Sequence, residues 1–330
     1  MGTEDVLFIV NSPFQCLCML EAIEHFTIKN FDVVIRPDSV ELNNKMVERI
    51  LEEKGIPFKI VKMSPLIGGI LPYLFKKHKK YSILFNGDYY GGGLCAYAYS
   101  LIHAKRNAQI IYYDDGVETL RVFSKPPLKR FNTWKVKLVI RGYEILKLIK
   151  GIGKPTFYTI FNVNSSLFKI ERNTLSKLRD NIGDNRQKGS YIIGTNFDGV
   201  DVDKEDYFIL LGKLIAHCRN MFPNEPIYYC PHRRNKDNTE LLQYLDDNNI
   251  TLFDTRISVE YDFIKRGIYP VYVSGFGSTA LYTLKIVFPK AVVDNVFLRL
   301  KTQTAAISAF DQLYEEQCNE IGIGKLDYLQ

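Results

Sequence analysis

The 330-residue sequence lacks any uninterrupted apolar run near the ~20 residues that a membrane-spanning helix needs. Its six cysteines form no CxxC pair of the zinc-binding kind, so we expect reduced core thiols in a cytoplasmic protein. The opening MGTEDVLFIV is acidic ahead of its apolar run and is not expected to be a signal peptide. With 46% hydrophobic residues, the chain is long enough for two globular domains of ordinary size.

Positive charge is concentrated in one segment. Lys125 to Lys154 contains nine Lys or Arg and one acidic residue, a net +8 in a chain whose total is +6. We predict that Leu128–Lys154 binds an anionic membrane surface, at the inner face of the cytoplasmic membrane. The alternative is that its apolar stripe packs on the first domain's core while the lysines face water. Nucleic acid is not an expected partner, because the segment carries aliphatic residues more than stacking aromatics. The apolar stripe consists of Trp134, Leu138, Ile145 and Ile149.

Strands alternate with helices in both halves of the chain. This alternation predicts an α/β protein of GT-B type, with two Rossmann-like domains whose parallel sheets face a central cleft. We expect an N-terminal Rossmann-like domain over 1–185 and a C-terminal Rossmann-like domain over 186–302. A C-terminal helix within 303–330 can then pack back on the first domain. The predicted strands are Asp5–Val10, Phe31–Arg36, Phe58–Met63, Tyr81–Asn86, Ala108–Tyr113, Phe157–Val163, Tyr191–Gly194, Ile227–Cys230, Thr251–Phe253, Val271–Val273 and Ala291–Val296.

Helix starts are marked by capping residues. Ser12, Pro13 and Gln15 have the spacing of a capping box with proline at the first helical position. Asp38 and Glu41 have the same spacing and predict a second capped helix.

The stretch Tyr269–Pro289 organises the second half. It reads as a strand that breaks at Ser274-Gly275-Phe276-Gly277 and restarts as a helix at Ser278-Thr279. A glycine-bearing turn before a capped helix favours anion binding, because free N–H groups and the helix dipole point at the turn. The alternative is an ordinary capped helix. The anion-binding candidates are Ser274, Gly275, Gly277, Ser278 and Thr279.

Two further polar stretches follow strands in the second half. Pro231-His232-Arg233-Arg234 offers an imidazole and two guanidiniums to a phosphate or carboxylate, unless it is simply a solvated basic loop. Gly194-Thr195-Asn196 can present backbone N–H groups to a nucleotide.

An acidic turn, Asp114-Asp115-Gly116, follows a strand of the first half. Two adjacent carboxylates at a strand end can hold a divalent metal, act as a general base, or form only a turn.

Taken in order, these motifs resemble those of the bacterial GT-B sialyltransferases that decorate capsules and lipooligosaccharides. The opening NSPFQCLCMLEAI is similar to the "SPxQ…EAI" start of lipooligosaccharide-type members, and the matches span about residues 10–280. The resemblance implies that the domain over 1–185 lies on the acceptor side and that the domain over 186–302 binds the nucleotide-sugar. It also implies that Asp114 or Asp115 is the base that deprotonates the acceptor hydroxyl. It implies that His232, Ser278 and Thr279 support the phosphate of departing CMP. The family usually reads His-Pro, whereas this chain reads Pro231-His232-Arg233.

The function implied is inverting transfer of sialic acid, or a related nonulosonic acid, from a CMP-sugar to a hydroxyl of a bacterial surface glycan, which can be lipid-linked. We expect no cofactor and no metal, because histidine, arginines and a helix N-terminus can offset the phosphate charge. Alternatives are transfer of Kdo, legionaminic or pseudaminic acid, a polysaccharide pyruvyltransferase, and a non-catalytic GT-B-like scaffold.

Overall fold

The computed structural model describes residues 5–62, 78–87, 94–124, 134–180, 182, 186–197, 204–297 and 305–327. The chain forms two compact units, Met1–Lys177 and Leu178–Gln330. The division lies earlier than the predicted boundary after residue 185. Residues 305–327 belong to the second unit, where Tyr314 Oη donates a hydrogen bond to Ser278 O (3.0 Å).

The first unit contains a seven-stranded sheet in the order β3-β2-β1-β4-β5-β6-β7, with every strand pair parallel. Its strands are β1 (Val6–Val10), β2 (Phe31–Ile35), β3 (Phe58–Ile60), β4 (Tyr81–Asn86), β5 (Ala104–Tyr113), β6 (Thr156–Thr159) and β7 (Lys169–Arg172). The described helices are α1 (Pro13–His25), α2 (Glu41–Glu53), α3 (Leu94–His103), α4 (Glu118–Ser124), α5 (Trp134–Ile149) and α6 (Ser176–Asp180), which crosses the unit boundary.

The second unit repeats this order with six parallel strands, β10-β9-β8-β11-β12-β13. Its strands are β8 (Arg186–Ile193), β9 (Ile227–Cys230), β10 (Thr251–Leu252), β11 (Tyr269–Phe276), β12 (Val292–Val296) and β13 (Gly324–Lys325). The described helices are α7 (Lys204–Met221), α8 (Thr239–Asp247), α9 (Val259–Lys265), α10 (Thr279–Val287) and α11 (Ala305–Glu320).

The central strand β1 shows why helices must pack on both faces of the first sheet. All five residues of its VLFIV run are buried. Phe8 stacks on Phe85 (4.6 Å between ring centroids) on one face, while Leu7 and Ile9 join the core cluster on the other. A continuous apolar run is typical of a parallel strand with helices on both faces. The predicted α/β fold with two parallel sheets is therefore confirmed.

Two local predictions were wrong. Helix α2 begins at Glu41 with Val40 as N-cap, and Asp38 instead accepts a hydrogen bond from Asn43 Nδ2 (2.6 Å). Strand β11 does not break at Ser274, because its pairing with β8 and β12 continues through Gly275.

The stability of a Gly275→Ala variant tests the pairing of β11 with β8. A Cβ there would lie 2.5 Å from the Ile193 carbonyl oxygen of β8, so Gly275→Ala must move backbone. Because overpacking typically costs about 1–3 kcal/mol, we expect a lower unfolding midpoint in a thermal melt. The control is Gly142→Ala in α5, where the added methyl meets no atom within 4 Å and should stabilise by about 0.5–1 kcal/mol. An unchanged midpoint for Gly275→Ala would contradict the register.

Candidate functional site

The acidic turn begins where β5 ends. Asp114 directly follows Tyr113, and Gly116 adopts φ +67°, a left-handed conformation that favours glycine. Parallel pairing places the ends of β1, β4 and β5 side by side, so the residues following them lie at one edge of the sheet.

Asp114 faces the interior. Its side chain is fully buried, and its two carboxyl oxygens accept hydrogen bonds from Thr159 Oγ1 (2.7 Å) and the Ile160 N–H (2.6 Å). Burial raises the pKa of Asp114 to about 7, against the opposing effect of these hydrogen bonds. Asp114 therefore ties the end of β5 to the end of β6 and is poorly placed to meet a substrate.

Asp115 is exposed, in contrast to its neighbour. Its Oδ1 accepts a hydrogen bond from Gln15 Nε2 (3.0 Å), and its N–H donates to Thr119 Oγ1 (2.9 Å). The sequence left the choice between the two carboxylates open. Exposure now favours Asp115 as the one that can reach a hydroxyl group.

The turn after β8 rests on buried tyrosines. A Cβ at Gly194 would lie 2.2 Å from the Tyr229 hydroxyl, which hydrogen-bonds the Tyr207 hydroxyl. The Thr195 backbone also hydrogen-bonds Tyr207. Asn196 is half-buried, and its buried Oδ1 has no hydrogen-bond partner among the described residues. The tyrosine pair therefore fixes the position of Gly194–Asn196.

His232, after β9, is half-buried. Burial, together with the smaller effect of the positive charges of Arg233 and Arg234, lowers the pKa of His232 to about 4. Its Nδ1 accepts a hydrogen bond from the Arg234 N–H (3.3 Å), so at neutral pH the proton sits on Nε2. The side chain is thus a neutral hydrogen-bond donor followed in sequence by two exposed arginines, not a third cation.

The turn after β11 has the predicted helix cap. Ser278 Oγ accepts from the Ala280 N–H (3.2 Å), and Thr279 is the first residue of α10. Gly277 has φ +50° and donates its N–H to Asn295 Oδ1 (2.8 Å). Gly277 is exposed, and Ser278 and Thr279 are half-exposed.

Two residues that support this turn were missed from the sequence. Asn295 is fully buried on β12, and Tyr314 on α11 donates to the Ser278 carbonyl. Asn295 left a detectable signal, because an amide inside the apolar strand VVDNV needs a partner. Tyr314 left none.

Ser274 and Gly275 lie inside β11 and are buried. The Ser274 Oγ points to Cys218 of α7 (3.9 Å to Sγ), and Gly275 is packed against Ile193. Both residues serve sheet packing here, and their contact with a nucleotide stays a prediction.

Three of the predicted stretches therefore meet at one sheet edge. Strands β9, β8 and β11 are neighbours, and the loops after them, Pro231–Arg234, Gly194–Asn196 and Gly277–Thr279, form what we call the polar edge. The strand order reverses between β8 and β11, the place where open α/β sheets bind ligands.

Within the described ranges, no group of three or more His, Cys, Asp or Glu side chains is arranged to hold a metal ion. Within those ranges, too, no helix is both long and apolar enough to span a bilayer.

Comparison with known proteins identifies the fold. No protein-family model and no curated protein matches the sequence. A 2,6-sialyltransferase of Photobacterium sp. JT-ISH-224, solved with the donor product CMP and the acceptor substrate lactose, aligns with a TM-score of 0.51 at 13% identity, covering 98% of this chain and 78% of its own. The GT-B domain of a Photobacterium damselae sialyltransferase aligns with a TM-score of 0.51 at 13% identity, covering 97% and 99%. MurG of Acinetobacter baumannii aligns with a TM-score of 0.45 at 13% identity, covering 98% of this chain and 86% of MurG. At such identities the likeness concerns the fold alone, and the chain has the α/β fold of GT-B proteins.

The protonation state of His232 can be measured directly. We expect its ring protons to titrate near pH 4 in NMR spectra, with the resonance assigned by its loss in His232→Gln. Inorganic phosphate should raise this midpoint, because a nearby anion favours the imidazolium. A midpoint at the ordinary value near 6.5, insensitive to phosphate, would contradict the buried, neutral donor.

Asp114 makes stability depend on pH in a defined direction. Its pKa is raised from 3.8 to about 7, so the folded state holds a proton that the unfolded chain releases. The contribution is complete below about pH 4 and is lost as the pH rises toward 7. Between pH 4 and 8 the wild-type midpoint should therefore fall relative to that of Asp114→Asn. If the unfolding midpoints of the two proteins depended on pH in the same way, the Asp114 carboxyl group would be ionised throughout this range.

Proposed function

We propose that this chain is an inverting glycosyltransferase that moves a nonulosonic acid, such as sialic acid, from a CMP-sugar to a hydroxyl of a glycan. The observation that carries the proposal is the polar edge, where three adjacent strands bring a neutral histidine donor, two arginines and the Ser278-capped N-terminus of α10 to the switch point of one sheet. This is an assembly of donors for an anionic phosphate.

The polar edge acts on the leaving group. His232 Nε2–H donates to the phosphate of CMP. The Ser278–Thr279 segment at the start of α10 donates to the same phosphate through its hydroxyl groups and the backbone N–H groups that the cap does not use. Arg233 and Arg234 add positive charge. These groups stabilise the negative charge that develops on the phosphate oxygen as its bond to the anomeric carbon breaks. The electron pair of that bond leaves with CMP. No metal is required for this step.

Asp115 acts on the acceptor. Its carboxylate takes the proton of the acceptor hydroxyl while the hydroxyl oxygen bonds to the anomeric carbon. One displacement inverts the configuration at that carbon. Asp115 is preferred to Asp114 for this role because Asp115 is exposed, whereas both oxygens of Asp114 are held inside the unit.

The fold comparison supports this choice of donor. The two GT-B structures with TM-scores of 0.51 are both named sialyltransferases, and one contains CMP and lactose. Their likeness adds a nucleotide and a galactoside as candidate ligands to the argument from residues.

A donor panel tests the proposal. The purified protein is incubated with CMP-linked sialic, Kdo, legionaminic or pseudaminic acid, with and without galactosides such as lactose, in EDTA. We expect acceptor-dependent release of CMP from one of these donors. Phosphoenolpyruvate and UDP-N-acetylglucosamine are tested in separate reactions as alternative donor substrates. Turnover of one of these two donors and of none of the CMP-sugars would contradict the proposal. So would turnover that EDTA abolishes and magnesium or manganese restores.

Replacing Asp115 separates acceptor activation from donor binding. Asp115→Ala should lower kcat by about 10²–10⁴ with the dissociation constant for CMP nearly unchanged, because a base acts on the acceptor. The matched control is Glu118→Ala, which removes an exposed carboxylate paired with Arg121 (3.2 Å) on α4. A rate for Asp115→Ala above about a tenth of wild type would rule out Asp115 as the base.

Helix α5 gives the protein a membrane-binding surface in this proposal. Its inner side packs on α3, where Tyr143 meets Tyr97 edge-to-face. Lys150, the residue after α5, donates to the carbonyls of Leu101 in α3 and Ala104 in β5. Large aliphatic side chains project from its outer side, with exposed fractions of 57% for Ile145, 77% for Leu148 and 69% for Ile149. Residues 125–133, and the side chains of Trp134 and Leu138, lie outside the described residues. An aliphatic surface within a basic segment suits anionic lipid, where a lipid-linked acceptor would reside.

Liposome co-sedimentation tests this surface. The protein should bind vesicles containing anionic lipid and detach as salt increases. Leu148→Glu should weaken binding about tenfold or more, because burial of a leucine side chain contributes about 1.5–3 kcal/mol. Ile209→Glu on α7 is the control, since Ile209 is 59% exposed in the second unit. Equal failure to bind neutral and anionic vesicles at low salt would contradict membrane binding.

A further inference from the structure

We propose that Gln15 is a positioning residue for Asp115: its buried side-chain amide, locked in one orientation by the chain preceding α1, holds the carboxylate in place. This inference rests on the proposed function, in which Asp115 is the base. It assigns Gln15 a task that the helix-cap spacing of the sequence did not predict.

The orientation of the Gln15 amide is fixed. Its Oε1 accepts a hydrogen bond from the Asn11 N–H (3.0 Å), and its Nε2 donates to Asp115 Oδ1 (3.0 Å). A flipped amide would place an NH₂ group against the Asn11 N–H and an oxygen against the carboxylate. Only the observed orientation satisfies both contacts.

Helix capping does not account for this arrangement. In a capping box the Gln15 side chain would return to the N–H of the cap residue, Ser12. Here it reaches Asn11, one residue earlier, while Ser12 Oγ caps the helix by accepting from the Gln15 N–H (3.2 Å). The Nε2 contact joins residues one hundred positions apart and adds nothing to the cap.

The fold leaves room for the amide at the end of β4. Gln15 is 1% exposed, and a Cβ on Gly87 would lie 2.1 Å from the Gln15 Cδ. Only glycine at position 87 therefore lets the side chain pass from α1 to the turn after β5. The contact depends on the ends of three adjacent strands, β1, β4 and β5.

The consequence for Asp115 is chemical as well as geometric. A neutral donor at Oδ1 favours the ionised carboxylate, the form that a base must have, and limits rotation of the group. The titratable groups on the same turn and on α4 are Asp114, which is protonated below about pH 7, Glu118 and Arg121, and α1 contributes the uncharged Gln15. Position 15 is therefore a place where a charge can be introduced beside Asp115 without changing any residue of the turn.

Gln15→Glu is the informative variant. Glutamate keeps the size of the side chain and its acceptor for Asn11, but it places a carboxyl group 3 Å from Asp115 where the amide donor was. Two such carboxyl groups share a proton, so the apparent pKa of the pair rises. We expect the acid limb of the kcat/KM profile to move up by at least one pH unit. Gln15→Ala should lower kcat by about 10–100-fold with CMP affinity unchanged.

Ser12→Ala is the matched control, because it removes the helix cap and leaves the amide in place. It should lower the unfolding midpoint and leave the pH profile where it is. If Gln15→Glu and Ser12→Ala give the same profile as wild type, Gln15 has only a structural role and the inference is wrong.

A second readout does not depend on turnover. The ¹³C resonance of the Asp115 carboxyl group, assigned by its loss in Asp115→Asn, should titrate at higher pH in Gln15→Glu than in wild type. A shifted titration without any glycosyl transfer would overturn the proposed function and keep the Gln15 contact. Transfer with an unshifted titration would overturn the contact. If Gln15→Glu does not fold, the same titration in Gln15→Ala decides, since loss of the donor must also raise the Asp115 midpoint.

Discussion

In both sheets every strand pairs in parallel with its neighbours, so each loop that follows a strand starts at the same edge. The strand order also reverses once in each sheet, between β1 and β4 and between β8 and β11. Helices on either side of such a point leave in opposite directions, which opens the strand ends to a ligand. The acidic turn in the first unit and the polar edge in the second unit both follow from this constraint.

Burial then decides which polar groups at these edges can do chemistry. Asp114 and Asp115 are adjacent, yet one is enclosed by Thr159 and Ile160 and the other is exposed beside Gln15. The imidazole of His232 is similarly kept neutral, which makes it a hydrogen-bond donor with Arg233 and Arg234 supplying the charge. Residue type alone would have given both carboxylates, and all three basic groups, the same role.

The sequence predicted what depends on local pattern. Strands Tyr81–Asn86 and Ile227–Cys230 have the predicted bounds because apolar runs mark them. The short edge strands β7 and β13 were missed, since four and two residues carry too little pattern. The continuation of β11 through Ser274 and Gly275 was also missed. A glycine there reads as a break, although close packing of β8 against β11 is what requires it.

The candidate site could be predicted as residues but not as roles. The acidic turn and the three loops of the polar edge were visible as polar clusters after apolar strands. The partners that define them lie far away in sequence: Gln15 for Asp115, Asn295 for Gly277, and Tyr229 for Gly194. Contacts over such separations follow from the topology of the sheets, which a single sequence states only indirectly.

The central claim is that the polar edge of the second unit binds the phosphate of a cytidine nucleotide. A crystal structure of the protein with CMP tests it most directly. The account predicts a phosphate oxygen within hydrogen-bond distance of His232 Nε2 and of a backbone N–H at the start of α10. CMP bound at the acidic turn of the first unit, with the polar edge empty, would contradict it.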